Sequence, residues 1–354
     1  MENIRDNNQG DCSANLLTPE EIAPVREALD NVLKQLDAIL LGRAELHRLV
    51  LAGILARGHI LLEGLPGLGK TALVKAIGDV MGLDFKRVQF TPDLMPGDIL
   101  GSHILQTAAD GRREMVVQPG PVFCNILLAD EINRASPTTQ SALLETMQER
   151  SVTLLGTTRR LPDPFFVLAS QNPIELEGTY PLPEAQLDRF LFRVIVKDLD
   201  VGVLTDILTT RRHGAAPSAT WRMRPELLSK CFDAADRIFL PKPVASWIAR
   251  LTSATHPDSP LATEQVRKCV SYGASPRAAI AMAEAARALA LLAGRPSVGF
   301  EDVRAVAEPV LNHRLILGYQ ARLDRVTPDD IVADVLSHVD EAGLDLPDDI
   351  AISN

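Results

Sequence analysis

Two segments of this chain constrain its fold more than any other feature. Residues 64–71 read Gly-Leu-Pro-Gly-Leu-Gly-Lys-Thr and match the phosphate-loop pattern G-x-x-x-x-G-K-[ST] at every position. The apolar run 58–63 before them has the length and composition of a buried parallel strand. Residues 126–131, Ile-Leu-Leu-Ala-Asp-Glu, form a second apolar run that ends in two carboxylates. Together the two segments predict a nucleoside triphosphatase.

The phosphate loop predicts how a polyphosphate is held. Its glycines let the backbone amides turn inward on an anion. Lys70 opens a helix that we predict to run to Met81, and the N-terminus of this helix offers free N–H groups to the β-phosphate. Lys70 adds a mobile charge for the β- and γ-phosphates, and Thr71 a hydroxyl for Mg²⁺. The predicted phosphate-binding residues are Gly64, Leu65, Pro66, Gly67, Leu68, Gly69, Lys70 and Thr71.

Polar residues at the ends of later strands predict the rest of the site. Asp130 ends the strand 125–130 and would hold Mg²⁺ directly or through water, while Glu131 would polarise the attacking water. Asn172 follows the strand 165–170 and would lie beside the phosphate loop. Arg189 lies between apolar residues just before the predicted strand 192–197. Arg277 falls in the first turn of a helix, where a cation opposes the helix dipole and an anion nearby would remove the conflict.

Composition excludes several classes of protein. The net charge of −10 and the 4% aromatic content argue against a general nucleic-acid binder. The four cysteines are far apart, which argues against a zinc site or a disulfide framework; they are Cys12, Cys124, Cys231 and Cys269. No stretch reaches 18 apolar residues, and the first residues lack a basic-then-apolar signal. We therefore expect a cytoplasmic protein without a membrane span.

Alternating apolar and helical segments predict an α/β fold, a doubly wound parallel sheet followed by a smaller all-α lid domain. The predicted strands lie at about 58–63, 85–90, 125–130, 165–170 and 192–197. The predicted helices lie at about 18–37, 44–57, 70–81, 136–149, 200–212, 225–237, 243–254, 276–293, 300–313 and 328–338. The predicted units are a disordered tail (1–17), a nucleotide-binding core (18–197), a helical lid (198–340) and an acidic tail (341–354).

Two regions interrupt the βα alternation. Residues 98–118 hold Asp110-Gly111 between short apolar runs, which is typical of a hairpin turn. Residues 151–164 are a second hairpin candidate, centred near Gly156. A plain surface loop is the alternative for both.

The chain resembles the MoxR family of AAA+ ATPases from about residue 30 to 335. The matching segments are 62–71, 130–135 (Asp-Glu-Ile-Asn-Arg-Ala), 140–149, 171–173 (Gln-Asn-Pro), 177–190 and 273–278 (Gly-Ala-Ser-Pro-Arg-Ala). The resemblance implies ATP and Mg²⁺ as cofactors, with residues 64–71 as Walker A and Asp130-Glu131 as Walker B. It also implies Asn172 as sensor 1, Arg277 as sensor 2 on the lid, and Arg189 as an arginine finger acting on the neighbouring subunit.

The resemblance also implies a biological setting. Family members usually form hexameric rings and act as chaperones that mature or activate partners, often with a von Willebrand A domain protein or in metal-cofactor insertion into a metalloenzyme. Leu41 and Gly42 could line the base pocket, although an apolar loop packed on the core has the same sequence pattern. Arg134 is a further candidate interface residue.

Three other functions remain open on sequence. A nucleic-acid motor would use the paired arginines at 112–113 and 159–160, against which the acidic charge and few aromatics weigh. A chelatase motor subunit would differ in partner more than in chemistry. A scaffold gated by nucleotide without hydrolysis is disfavoured because Glu131 is present.

Overall fold

The computed structural model describes residues 16–64, 69–107, 113–154, 156–172, 178–211 and 217–341. Its strands are β1 (Ile60–Glu63), β2 (Phe85–Gln89), β3 (Gly101–Thr107), β4 (Arg113–Pro119), β5 (Ile126–Asp130), β6 (Ser151–Leu154), β7 (Thr157–Arg160), β8 (Phe166–Gln171), β9 (Phe192–Ile195), β10 (Val270–Tyr272) and β11 (Ile316–Leu317). The five strands predicted for the central sheet are confirmed, with ends that differ by up to two residues from the predicted bounds.

The central sheet is parallel, in the order β2-β5-β8-β1-β9. Its middle strands are apolar because both of their faces are covered by helices, and every residue of β1 is buried. Ala169 of β8 pairs with Leu61 of β1 on one side and with Ala129 of β5 on the other. The carboxyl ends of the strands therefore finish level with one another, at the edge where parallel sheets bind ligands.

The helices are α1 (Pro19–Ile39), α2 (Ala44–Leu55), α3 (Lys70–Met81), α4 (Pro96–Leu100), α5 (Pro137–Glu149), α6 (Glu184–Leu187), α7 (Val201–Thr210), α8 (Pro225–Arg237), α9 (Lys242–Ala254), α10 (Glu264–Cys269), α11 (Pro276–Leu292), α12 (Phe300–Leu311), α13 (Tyr319–Asp324) and α14 (Pro328–His338), with a 3-10 turn at Ile132–Arg134. The helix α1 begins at a capping box. Glu21 N–H donates to Thr18 Oγ1 at 3.3 Å, and Thr18 N–H donates to Glu21 Oε2 at 2.8 Å.

Both predicted hairpins are present. The strands β3 and β4 pair antiparallel from Gly101↔Pro119 to Thr107↔Arg113, and the predicted Asp110-Gly111 turn between them lies outside the described residues. The strands β6 and β7 pair from Ser151↔Arg160 to Leu154↔Thr157. Gly156 in their turn has φ +76°, a conformation that favours glycine.

The second part of the chain is mainly helical, as expected. Trp247 of α9 is fully buried, and its indole N–H donates to the Val339 carbonyl at 2.9 Å. The expectation of an all-α lid needs one correction, since β10 and β11 form a short antiparallel pair. The short helices α4, α6, α10 and α13 were also not predicted. A helix of four to six residues is too short to show the periodic spacing of apolar residues that identifies a helix in a sequence.

Three of the four cysteines lie among the described residues, in the protein interior. Cys124, Cys231 and Cys269 are free and buried. Burial raises the pKa of the Cys124 and Cys231 thiols to about 12, so both stay protonated at neutral pH. No cluster of metal-ligating side chains is found in the part of the chain that the structure describes. Over the same residues, no helix is both long and apolar enough to cross a bilayer.

Candidate nucleotide-binding site

A cavity of about 420 Å³ lies at the carboxyl edge of the sheet, beside the start of α3. It brings together most of the residues that the sequence predicted for phosphate and metal. They are Gly64, Gly69, Lys70, Thr71, Asp130, Glu131 and Asn172. Leu65, Pro66, Gly67 and Leu68 lie outside the described residues. Arg87, Gln89 and Ser170 also line the cavity and were not predicted.

Lys70 is half-buried at the N-terminus of α3. Its Nζ donates a hydrogen bond to the Gly64 carbonyl at 2.6 Å, which folds the side chain back over the start of the loop. Burial lowers the pKa of Lys70, and the carboxylates of Asp130, Glu131 and Glu63 oppose this shift. A polyphosphate bound in this cavity would add negative charge beside Lys70 and would favour its charged form.

The pairing register determines the surroundings of Asp130. Because Gln89 pairs with Asp130 and Ala169 pairs with Ala129, the carboxylate lies between the ends of β2 and β8. Ser170 Oγ donates to Asp130 Oδ1 at 2.5 Å, and Arg87 Nη2 donates to Asp130 Oδ2 at 2.7 Å. Asp130 thus supplies a carboxylate of defined orientation at the cavity wall.

Glu131 begins the turn after β5 with φ +57°, a conformation uncommon for a residue with a side chain. Its N–H donates to Ser170 Oγ at 3.0 Å, so Ser170 contacts both acidic residues. Gln89 Nε2 donates to Glu131 Oε2 at 2.7 Å, and Arg134 Nε lies 3.1 Å from the same oxygen. Arg134 therefore contacts Glu131 within its own chain.

A second cavity, of about 220 Å³, adjoins the first and shares Gly69 and Lys70 with it. Its wall is largely apolar, with Leu41, Leu62 and Ile207 among the lining side chains. The predicted residue Leu41 lies at this cavity. Gly42 has a different role, since its φ is +72° and a Cβ there would lie 2.7 Å from the methyl groups of Val203. Gly42 allows α7 to approach the loop.

His47 lines the apolar cavity and was not predicted. It is fully buried, and its Nδ1 donates to Asp37 Oδ1 at 2.6 Å. Burial lowers the pKa of His47, while the Asp37 carboxylate raises it. Arg211 lines the same cavity, and its guanidinium donates to the carbonyls of Ala38 and Ile39 at the C-terminus of α1, at 3.0 and 2.7 Å.

Arg189 and Arg277 lie at a third cavity, of about 220 Å³, which Asp188 and His59 also line. Arg277 Nη1 lies 3.3 Å from Asp188 Oδ2, so the start of α11 meets the segment before β9. Arg277, which the resemblance implies as sensor 2, therefore lies beside Asp188, whereas Lys70 lines a different cavity.

Arg314, just after α12, is the functional candidate that sequence reasoning missed. Its side chain is 3% exposed, and its Nε donates to Asp188 Oδ1 at 2.8 Å. The guanidinium also donates to the Phe190 carbonyl at 2.7 Å. Arg314 and Asp188 are 126 residues apart in the chain, so no local pattern could have indicated the contact.

A parallel sheet with a phosphate loop and an Asp-Glu pair at its carboxyl edge, followed by a helical lid, defines a AAA-type nucleoside triphosphatase fold. A family model described as "ATPase family associated with various cellular activities (AAA)" matches residues 59–192, and an AAA lid domain model matches residues 262–335. The crystal structure of a candidate ATPase from Cytophaga hutchinsonii superposes with a TM-score of 0.83 at 37% identity, covering 91% of this chain and 97% of that one.

Comparison with similar proteins identifies the family of AAA ATPases to which the chain belongs. The chain is 42% identical to chaperone MoxR1 of Mycobacterium tuberculosis, over 90% of this chain and 84% of that protein. It is 40% identical to the uncharacterised protein YeaC of Bacillus subtilis, over 90% and 96%. It is also 31% identical to protein MoxR of Methylorubrum extorquens, over 86% and 92%. The chain belongs to the MoxR family of AAA+ ATPases.

Proposed function

We propose that this protein binds and hydrolyses ATP with Mg²⁺, and that it uses the cycle to remodel a partner protein. The observation that carries the proposal is the pair of adjoining cavities at the start of α3. One is largely apolar and has the size for a base, and the other carries Lys70, Asp130 and Glu131 for phosphates and a metal ion. Gly69 and Lys70 line both, so a nucleotide spanning them would pass over the N-terminus of α3.

The residues at the phosphate cavity fit a magnesium nucleotide. The Asp130 carboxylate and the Thr71 hydroxyl are the oxygen donors that Mg²⁺ prefers. The ion would neutralise charge on the phosphates. Lys70 would bind the β- and γ-phosphates, Glu131 would orient and polarise the attacking water, and Asn172 would hold the water or the γ-phosphate. Gln89 and Arg134, which now contact Glu131, would have to release it for that role.

Arg189 and Arg277 would act on a neighbouring subunit. They lie together at a cavity separate from the one that holds Lys70, so a bound γ-phosphate in the same chain would contact neither. The cavity is lined by these two guanidinium groups and by one carboxylate, that of Asp188, and the excess of positive charge suits a phosphate presented by another copy of the chain. We therefore propose a homo-hexameric ring in which these arginines complete the adjacent site.

The relatives support a chaperone role, since the Mycobacterium tuberculosis protein is named a chaperone. We propose the cytoplasm as the location, and a von Willebrand A domain protein or a metalloenzyme as the partner. The two hairpins, β3-β4 and β6-β7, are the elements that hydrolysis would move against the partner.

Steady-state hydrolysis tests the enzymatic part. Glu131→Gln should abolish phosphate release and leave ATP binding intact, because only the water-polarising carboxylate is removed. Glu145→Gln is the matched control, since Glu145 is an exposed glutamate of α5 and should leave the rate unchanged. Hydrolysis by Glu131→Gln at the parent rate would refute the role of Glu131.

A pull-down tests the partner. Glu131→Gln protein with ATP and Mg²⁺ should retain a partner that ADP releases, identified by mass spectrometry. A nuclease-treated sample is the control. If retention disappears with nuclease, the partner is a nucleic acid and the chaperone proposal is wrong.

A further inference from the structure

The segment that carries Arg189 lies between α6 and β9 and is held by the lid. Within the core, Leu191 N–H donates to the His59 carbonyl at 2.7 Å, and this bond joins the segment to β1. The carbonyl groups that flank Arg189 are instead bonded by side chains that follow α12. These side chains belong to Asn312, His313 and Arg314, which we name the lid clamp.

Arg314 makes most of the clamp contacts. Its Nη2 donates to the carbonyls of Asp188 and Phe190 at 3.2 and 2.7 Å, and its Nη1 donates to the Leu191 carbonyl at 3.2 Å. Its Nε donates to the Asp188 carboxylate at 2.8 Å. These acceptors lie on both sides of Arg189, so one buried guanidinium fixes the backbone before and after the proposed finger.

The other two residues of the lid clamp, His313 and Asn312, bond further carbonyl groups of the same segment. His313 is buried, and its Nε2 donates to the Phe190 carbonyl at 3.0 Å. Burial and the neighbouring Arg314 charge lower the pKa of His313 well below its ordinary value. Asn312 Nδ2 donates to the Arg193 carbonyl at 3.3 Å, at the start of β9. The clamp therefore spans the whole turn from Asp188 into the strand.

The Asp188 carboxylate links the clamp to the exposed arginine of the same cavity. Its Oδ1 accepts from Arg314, while its Oδ2 faces Arg277, whose side chain is 62% exposed. No side-chain hydrogen bond or ion pair to another described residue holds the Arg189 guanidinium. The arrangement leaves Arg189 available to an outside anion while its backbone is fixed.

We propose that Arg314 is a positioning residue for hydrolysis, which acts by holding the Arg189 segment in the orientation that a neighbouring subunit's γ-phosphate requires. The inference rests on the proposed role of Arg189 as a finger. Because the clamp belongs to the lid and the segment belongs to the core, a rotation of the lid against the core would shift the carbonyl groups on both sides of Arg189. Lid orientation in one subunit thereby sets the activity of the adjacent site.

The test uses full-length protein and the variant Arg314→Lys. Lysine keeps the charge and has three donors on a flexible stem, so it cannot reproduce the planar contacts to Asp188, Phe190 and Leu191 together. A fluorescent ATP analogue should bind as it does to the parent. Hydrolysis should fall roughly 10- to 100-fold, the range expected when a catalytic group is displaced by about 1 Å. Arg295→Lys is the matched control, because Arg295 pairs with the buried Asp302 inside the lid and should hydrolyse at the parent rate.

A mixing experiment separates positioning from a structural defect. An Arg314→Lys subunit retains its own phosphate cavity, and a Glu131→Gln subunit retains an intact finger. Co-assembled rings should hydrolyse ATP well above either variant alone. Arg189→Ala mixed with Glu131→Gln should be rescued in the same way, and this pair tests the proposed function by itself. If Arg314→Lys does not fold, Asp188→Asn weakens the same contact from the core side and should give a smaller loss with the same rescue.

The outcomes are distinct. Parent-rate hydrolysis by Arg314→Lys would overturn the inference. A defect that persists in mixed rings, while that of Arg189→Ala is rescued, would show a structural role and would also overturn it. If Arg189→Ala hydrolyses like the parent, the finger assignment is wrong and the inference is wrong with it.

Discussion

Acidification should destabilise this fold through His59, which is buried just before β1. Its Nε2 donates to the Met147 carbonyl at 3.1 Å, and its Nδ1 accepts from Val167 N–H at 3.0 Å. A proton on Nδ1 would face the Val167 donor, so only the neutral ring fits both contacts. Burial, and to a smaller extent the Arg150 charge, lower the pKa of His59 to about 4.

The magnitude follows from linkage. The unfolded chain takes up a proton near pH 6.5, whereas the folded chain does so only near pH 4. Stability from this residue is therefore fully present above pH 6.5 and is lost as the pH falls towards 4. A difference of this size corresponds to roughly 3 kcal/mol in all, of which about 2 kcal/mol is lost between pH 7.5 and 5.0.

Chemical denaturation at pH 7.5 and 5.0 measures this loss. At pH 7.5, His59→Gln should have a lower free energy of unfolding than the parent. Between pH 7.5 and 5.0, it should lose about 2 kcal/mol less stability than the parent loses. His338→Gln is the control, since His338 is 63% exposed and a surface substitution of this kind should change stability by no more than about 0.5 kcal/mol. Equal losses in the parent and in His59→Gln would refute the reasoning, because the pH dependence would then come from other groups.

Three further predictions concern binding and folding. Lys70→Ala should weaken ATP binding at least about tenfold, measured with a fluorescent analogue, because a charge-assisted contact to phosphate is lost; unchanged binding would refute its role. Thr18→Ala should lower the free energy of unfolding by about 1 kcal/mol through loss of the α1 cap, whereas Thr18→Ser should not; equal stabilities would show that the cap contributes little. Gly58→Ala should destabilise the fold by roughly 1–3 kcal/mol, since the new Cβ would lie 2.5 Å from Leu191 Cβ; a parent-like melting temperature would contradict this packing.

The sequence predicted the central sheet and the position of the site because strong local signals coincide there. The strands β1, β5 and β8 are largely apolar runs, and Asp130 and Asn172 stand at or directly after the ends of β5 and β8. The carboxyl ends of parallel strands meet at one edge, so Lys70, Asp130 and Asn172 could be placed together without knowledge of the packing. The same reasoning could have found Ser170 and Gln89, which also occupy strand ends.

Contacts that depend on how the lid packs could not be predicted in this way. Arg277 was correctly placed at the start of a helix, but its partner depends on where that helix meets the core. Arg314 carries no motif, and its acceptors are mostly backbone carbonyls, which have no sequence signature. Arg87 pairs with Asp130 from the neighbouring strand, and this contact depends on a strand order that the sequence does not encode locally.

Under the proposed function, the two groups of polar residues in this fold act at the nucleotide sites of two different subunits. The residues at the sheet edge lie at strand ends of one chain and line one cavity, which is the proposed nucleotide site. Arg189 and Arg277 line a different cavity beside Asp188, and Arg314 of the lid donates to the Asp188 carboxylate in the segment that carries Arg189. The proposed function thus assigns nucleotide binding and activation of hydrolysis to different surfaces of one chain. A ring is the arrangement in which every copy can supply both, and a change of lid orientation in one copy would reach the next through Arg314 and the Arg189 segment.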